Sequence, residues 1–346
     1  MAHPDIPLLR ELGVRLPVLA APMAGGASTP QLVISAWQAG GFGFLAAGYK
    51  TASELENQVK TVAAAGAPVG VNLFAPGTVA VSAADYRRYA DTIAPEAAAY
   101  GIELAAVPLT EDDDAWADKI DVLLAARPAI VTTTFAIPPA ADVSRLQRAG
   151  ITVGMTVTSG DEARRAAQAG ADLLVVQGGE AGGHSGTLTP GRAPAPAGLA
   201  DLVRAVRADS DLPVIAAGGI AASGDVARVL AAGASAVAVG TVLLRTAESG
   251  ASATHRAALA DPAFDRTVVT RSFTGRPARG LANRWTGSYD SVAPLGYPAI
   301  HHLTIGIRRA AAAARDPHRL HLWAGTGWRA ARDEPVAQAL RRLADI

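Results

Sequence analysis

The chain has no cysteine. Disulfides, thiolate metal sites and cysteine nucleophiles are therefore excluded. It has only three lysines, Lys50, Lys60 and Lys119, the remaining cations being arginines; this bias is read as base composition and nothing more. There is no excess of either charge sign, since 31 basic residues balance 31 acidic ones. That argues against a nucleic-acid surface or a basic membrane-binding face. No uninterrupted apolar run reaches transmembrane length. Met1 to Asp5 lacks the basic and apolar regions of a signal peptide, so a soluble cytoplasmic protein is expected. His301-His302 lacks metal-ligand spacing and no His-Glu-x-x-His occurs, so no metal site is expected. Two loose dinucleotide fingerprints, Gly41-x-Gly43-x-x-Ala46 and Gly325-x-Gly327-x-x-Ala330, lie in the wrong context for a βαβ unit. Glu111-Asp-Asp-Asp114 reads as a solvated loop or helix start.

What is present is a large α/β chain. Half of its 346 residues are hydrophobic, enough for one big domain with an appendage. Eight apolar runs alternate with helical patterns: Pro17–Met23, Phe42–Ala47, Val69–Phe74, Ala129–Phe135, Thr152–Val157, Asp172–Gln177, Pro213–Gly218 and Ala236–Leu244. Each is rich in Val, Ile, Leu or Ala rather than alternating with polar residues, as strands covered on both faces are. Helix starts are read at Ser28 and, as a near capping box, at Ser53 to Glu56. Eight such units predict a (β/α)8 TIM barrel. The third connection is too long, which predicts a helical insertion at about 75–128. Residues 1–245 are read as the barrel, and 246–346, with helical stretches at 247–260, 300–314 and 335–343, as a C-terminal helical lid.

Several loops at predicted strand C-termini could carry chemistry, the place where such barrels keep it. The richest is Gln177-Gly-Gly-Glu-Ala-Gly-Gly-His-Ser-Gly186. Its glycines let the backbone lie flat against a planar ligand, and His184 can exchange a proton near neutral pH. Glu180 is given no role. Ala21 to Gly26 reads either as an ordinary βα turn or as a stiff turn presenting amides. Asn72 interrupts an apolar strand and needs partners; it is either structural or aimed at a ligand's donor and acceptor edge. Ala216 to Ile220, with Ser223 and Gly224 opening a helix, and Val239-Gly-Thr241 match the phosphate cradle usual after strands seven and eight.

On these residues the chain resembles the nitronate monooxygenase family, formerly called 2-nitropropane dioxygenases. Ala21 to Gly26, Gly41 to Ala46, Val71-Asn-Leu-Phe74, Gln177 to Gly186, Pro213 to Ile220, Gly240-Thr241 and Phe273-Thr-Gly-Arg-Pro-Ala-Arg279 carry the likeness. The resemblance implies FMN at the barrel mouth. Asn72 and Gln177 would contact its ring or ribityl chain, and Pro22, Met23 and Ala24 would back the ring. Gly182, Gly218, Gly219, Gly240 and Thr241 would hold the phosphate and ribityl chain. His184 matches the family's active-site histidine, the base toward a neutral nitroalkane or the group that orients a nitronate. The implied reaction oxidises a nitronate with O2 to a carbonyl compound and nitrite, without reduced nicotinamide. The implied partners are these small molecules, in a monomer or homodimer.

The lid segment departs from the family pattern Tyr-Pro-x-x-Tyr-x-x-x-Lys. Tyr297 is kept, but His301 replaces the second tyrosine and Ile305 the lysine. Tyr297 and His301 are expected to contact substrate, in a pocket that has lost a cation and gained an imidazole. The rival reading is an FMN- and NADH-dependent enoyl-acyl-carrier-protein reductase, which shares the Glu180 to His184 loop. A specialised flavin oxygenase and a non-catalytic flavin-binding protein are the further alternatives.

Overall fold

The computed structural model describes residues 4–77, 79–194 and 197–345. Eight short strands form one parallel sheet: β1 Val18–Ala20, β2 Phe44–Ala46, β3 Gly70–Phe74, β4 Ile130–Thr134, β5 Thr152–Val157, β6 Leu173–Gln177, β8 Val214–Ala217 and β9 Ala236–Val239. They lie in the order β1-β9-β8-β6-β5-β4-β3-β2. A parallel bridge between Ala20 and Gly43 brings the two edges together, so the sheet is a TIM barrel. All eight predicted strands are present in the predicted order; several are shorter than read, and the last ends at Val239, before the helical turn Thr241–Leu243. The remaining strands, β7 Gly183–His184, β10 Thr267–Thr270 and β11 Ala278–Leu281, form a small antiparallel sheet in the order β10-β11-β7.

The barrel interior is plugged from below. Leu19, Phe44, Ile130, Leu173 and Ile215, at or near the N-terminal ends of their strands, form one buried cluster. Gly70 and Gly154 make room for it. A Cβ on Gly70 would lie 2.2 Å from the Phe44 ring, and one on Gly154 2.5 Å from Leu173. With that end filled, the barrel opens at its C-terminal mouth.

Two helix starts differ from the sequence reading, for the same reason: the capping oxygen must belong to the residue just outside the helix. Thr29, not Ser28, caps Pro30–Gln38; the Ser28 hydroxyl accepts from Met23 N–H instead, at 2.8 Å. Thr51, not Ser53, caps Ala52–Ala64, with Glu54 closing the capping box.

The long third connection holds two helices, Ala83–Ala98 and Trp116–Ala126. Trp116, Ile120 and Leu123 of the second join the barrel's main core, so it is a barrel helix. The first shares a separate apolar cluster with the C-terminal helix Ala299–Ala313, through Tyr89 and Ile93 on one side and Ile300, Leu303 and Ile307 on the other. The last helix, Val336–Ala344, leaves the lid segment: Val336, Ala339, Leu340 and Leu343 are buried in the barrel core. No helix among the described residues is long and apolar enough to cross a membrane.

Candidate active site

A cavity of about 590 Å³ opens at the C-terminal mouth, within the range of small-molecule sites. Pro22, Met23 and Ala24 line one wall, and Asn72, in the middle of β3, and Gln177, at the end of β6, the floor. Gly182, Gly218, Gly219, Gly240 and Thr241 line the rim, and His184 and His301 also face the cavity. Tyr297 does not line it. It packs behind the wall, with ring centroids 5.2 Å from Phe135 and 5.8 Å from His184.

The rim is built from backbone. Gly218 and Gly219 have φ of 118° and 71°, a region side chains disfavour. Among the described residues, the amides of Gly219, Gly240 and Thr241 donate to no loop or turn carbonyl. They are free for an anion, with the short helical turn Thr241–Leu243 beginning at the same point. The neighbouring amides of Ala221 and Ala222 are taken by Asp225, each at 3.0 Å. The donors that line the cavity are thus those of the glycine turns; Ser223 and Gly224, which open helix Ser223–Ala231, do not line it. Gly182 is a glycine for another reason: a Cβ there would lie 2.5 Å from the amide nitrogen of Gly325. Gly325 N–H in turn donates to Thr241 Oγ1 at 2.9 Å, so the C-terminal segment is fastened to the rim.

The floor amides do different work. Asn72 Nδ2 donates to the hydroxyls of Thr132 and Thr134, both at 3.0 Å. Its Oδ1 is left as an acceptor. Gln177 braces the glycine loop: its Nε2 donates to His184 O at 3.0 Å and its Oε1 accepts from Gly186 N–H at 2.6 Å. The loop's His184 end is further pinned by the antiparallel pairing of Gly183 and His184 with Arg279 and Ala278. The loop's end at Gly183–His184 is thus a short strand locked to the chain's C-terminal part. The Glu180 carboxylate sits against Gly219, where a Cβ would meet Oε2 at 2.4 Å.

His184 stands in an aromatic cage. Phe135, Tyr297 and Trp323 surround it at 5.6, 5.8 and 5.5 Å between centroids. Its Nε2 is 2.9 Å from Thr274 Oγ1, and that hydroxyl also reaches Arg276 O at 3.3 Å. A hydroxyl donates once. When Thr274 donates to the carbonyl, His184 Nε2–H donates to Thr274 and Nδ1 keeps the lone pair. Burial, then the nearby Arg276 and Arg308 guanidinium groups, push the imidazole down to about 3. In the empty site His184 is therefore held neutral, the form that can accept a proton.

The sequence model of the family described as "Nitronate monooxygenase" matches residues 7–345. The chain belongs to the nitronate monooxygenase family. It is 37% identical to the nitronate monooxygenase of Pseudomonas aeruginosa, over 97% of each chain. It is 34% identical to a probable nitronate monooxygenase of Staphylococcus aureus, over 95% of this chain and 93% of that one. Among solved structures, the nitroalkane oxidase of Streptomyces ansochromogenes superposes with a TM-score of 0.92 at 44% identity, covering 97% and 96% of the two chains. FabK from Thermotoga maritima superposes with a TM-score of 0.73 at 25% identity, covering 97% and 94%. The chain is accordingly an enzyme, an oxidoreductase of the nitronate monooxygenase family.

Within that family frame the lid segment reads differently than from sequence. Ile305 lines the cavity, and so does Arg308, one turn further along the same helix. Arg308 is 5% exposed and donates to His301 O at 2.9 Å, His301 Nδ1 at 3.1 Å and Thr304 Oγ1 at 3.1 Å. Burial lowers it to about 10, so it stays charged at neutral pH, and it forms no ion pair among the described residues. The pocket therefore holds a buried cation, Arg308, although Ile305 is apolar. The imidazole of His301 is held neutral by burial and by Arg308. Arg276, absent from the predicted site, stacks 4.0 Å over Phe135 and donates to Ser185 O at 3.2 Å and to Thr187 O. It fixes the far side of the histidine loop. Gly325 and Gly327, set aside as a false fingerprint, also line the cavity.

Proposed function

We propose that the protein binds FMN across the barrel mouth and oxidises alkyl nitronates with O2 to a carbonyl compound and nitrite. One observation carries the reading: an amide-lined rim for a phosphate and a buried, neutral histidine in an aromatic cage open into the same cavity. The residues fit the cofactor. Gly219, Gly240 and Thr241 offer unpartnered amides to its phosphate, Asn72 Oδ1 an acceptor to a ring N–H, and Pro22 to Ala24 an apolar wall. Gln177 shapes the loop that the ring would lie against, and Gly182 and Gly218 allow it to approach. When bound, FMN supplies one-electron exchange between substrate and O2.

The protein's own groups then divide the task. Residues 1–245 carry the cofactor rim, and the segment from 246 onward closes the cage, with Tyr297 and His301 shaping its wall. Arg308 supplies positive charge for an anionic substrate. His184 Nδ1 accepts a hydrogen bond or a proton at the reacting carbon. With its conjugate acid near 3, it is a weak base in the empty site, which favours preformed nitronates over neutral nitroalkanes. A small-molecule substrate and O2 are the only partners this chemistry requires.

The likeness to FabK favours a second reading, reduction of an enoyl thioester with NADH. Purified protein in air settles the choice. Ethyl nitronate should give stoichiometric nitrite and oxygen uptake without NADH. Crotonyl-thioester-dependent NADH oxidation, with no nitrite from nitronates, would replace the first reading with the second.

A further inference from the structure

Tyr49 lines the cavity, in the turn after β2. Its ring lies flat on His301, with centroids 4.0 Å apart and planes 2° apart. Phe74 meets it edge-on at 5.2 Å. The hydroxyl is buried and makes no hydrogen bond among the described residues. Tyr297 is near enough to influence its ionisation, but the geometry gives no bond between the two. Burial pushes the phenol up to about 12, so it remains a neutral donor. A buried donor without a partner is unfavourable, unless a ligand supplies the acceptor.

The backbone beneath it is held on purpose. Tyr49 has φ of 67°, a left-handed conformation disfavoured for any side-chain-bearing residue. Its N–H donates to Asp114 Oδ1 at 3.0 Å. The other Asp114 oxygen lies 2.7 Å from Lys119 Nζ, whose side chain is 1% exposed. Asp114 and Ala115 are themselves left-handed, with φ of 58° and 54°. A buried ion pair and three left-handed residues therefore converge on the placement of one tyrosine. The acidic run read as a solvated loop ends in this strut; only Glu111, Asp112 and Asp113 are exposed.

We propose that Tyr49 binds substrate, its hydroxyl donating a hydrogen bond to a nitronate oxygen, and that Asp114 is the positioning residue that aims it, its charge balanced by Lys119. This rests on the nitronate reading above. The donor lies beside Arg308 on the His301 wall, so the two would hold the anionic end of the substrate while its carbon faces His184.

Tyr49→Phe keeps the ring and its stacking and removes only the donor. On holoenzyme of measured flavin content, with ethyl nitronate in air and nitrite as readout, KM should rise about ten- to a hundredfold, the range for one lost hydrogen bond to a charged group. Here kcat, flavin content and Tm should stay near wild type. The pair Asp114→Asn/Lys119→Met removes both charges but keeps an acceptor for the Tyr49 N–H, and should leave KM within about threefold. Asp114→Ala/Lys119→Met removes the acceptor and should reproduce the KM rise of Tyr49→Phe. An unchanged KM in Tyr49→Phe, with active wild type, overturns the proposal. So does a lowered Tm with unchanged KM, which would give the hydroxyl a structural partner. Absence of nitrite from the wild type would instead remove the nitronate reading, and the proposal with it.

Discussion

The rim and the cage of this cavity are built from different materials. The rim comes from two consecutive βα turns, after β8 and β9, and offers backbone amides from Gly219, Gly240 and Thr241. The cage gathers Tyr49, Phe135, His184, His301 and Arg308 from turns, a short strand and a helix scattered along most of the chain. A rim of amides has no titratable donor and depends on space alone. A cage of side chains depends on burial: its imidazoles are neutral, its phenols protonated and its guanidinium groups weakened because water is kept out. Holding a cofactor and reacting a substrate are thus separable in this molecule, and substitutions should separate them.

The largest effect should come from filling the rim. A Cβ on Gly240 would meet nothing closer than Met23 at 3.4 Å, so Gly240→Ala should fold and keep its flavin. Gly240→Trp must project into the cavity and should purify with flavin content reduced more than about tenfold, measured by visible absorbance. Full occupancy in the Trp variant would place the cofactor elsewhere. In the cage, His184→Ala should keep flavin yet lose about 10²- to 10⁴-fold in kcat/KM on nitroethane, the usual weight of a general base. On ethyl nitronate, whose proton is already gone, the loss should be less than about tenfold. Equal losses on both substrates would remove the base role.

Acid should strike the cage and spare the rim. His184 and His255 are held at about 3 and about 4, and His301 and His321 well below their ordinary value, all chiefly by burial. Their folded pKa values lie below the unfolded value near 6.5. The unfolded chain therefore binds more protons as pH falls, and stability that is full above about 6.5 drains away toward pH 3 to 4. Each such histidine contributes about 1.4 kcal/mol per pH unit within its window. Thermal melts from pH 7.5 to 5 should show a steep fall, and replacing His255 and His321 with Gln should flatten it. The smallest effect should be that of Thr274→Val. It removes the partner of His184 Nε2 and should lower kcat about five- to tenfold, through one lost hydrogen bond, with flavin content unchanged.

The same contrast explains what could be read from the sequence. The barrel was legible because buried parallel strands leave apolar runs such as Asp172 to Val176. The rim was legible because its turns require glycine at Gly218 and Gly219, with φ of 118° and 71°. The cage was legible only at His184, inside a glycine loop, and at Tyr297 and His301, through likeness to a family motif. Tyr49 and Arg308 left no local signal: each is one polar residue in a turn or helix, given meaning by neighbours far away in sequence. Arg276 lay inside the family motif Phe273 to Arg279, but nothing local gave it a role. Asp114 looked like one of four solvated acids, and its ion pair with Lys119 follows from the backbone's left-handed path at Asp114 and Ala115. Ile305 stands where the family pattern has a lysine, which reads as a missing cation. Arg308, one turn along the helix, nevertheless brings a positive charge to the cavity, which matching that motif alone does not show.

The most direct test of the nitronate reading is an anaerobic titration of the flavin-loaded enzyme with ethyl nitronate, with NADH added to a parallel sample, following the visible absorption of the bound flavin. The nitronate should change the spectrum, and NADH should leave it unaltered. A spectrum bleached by NADH and indifferent to the nitronate would contradict that reading.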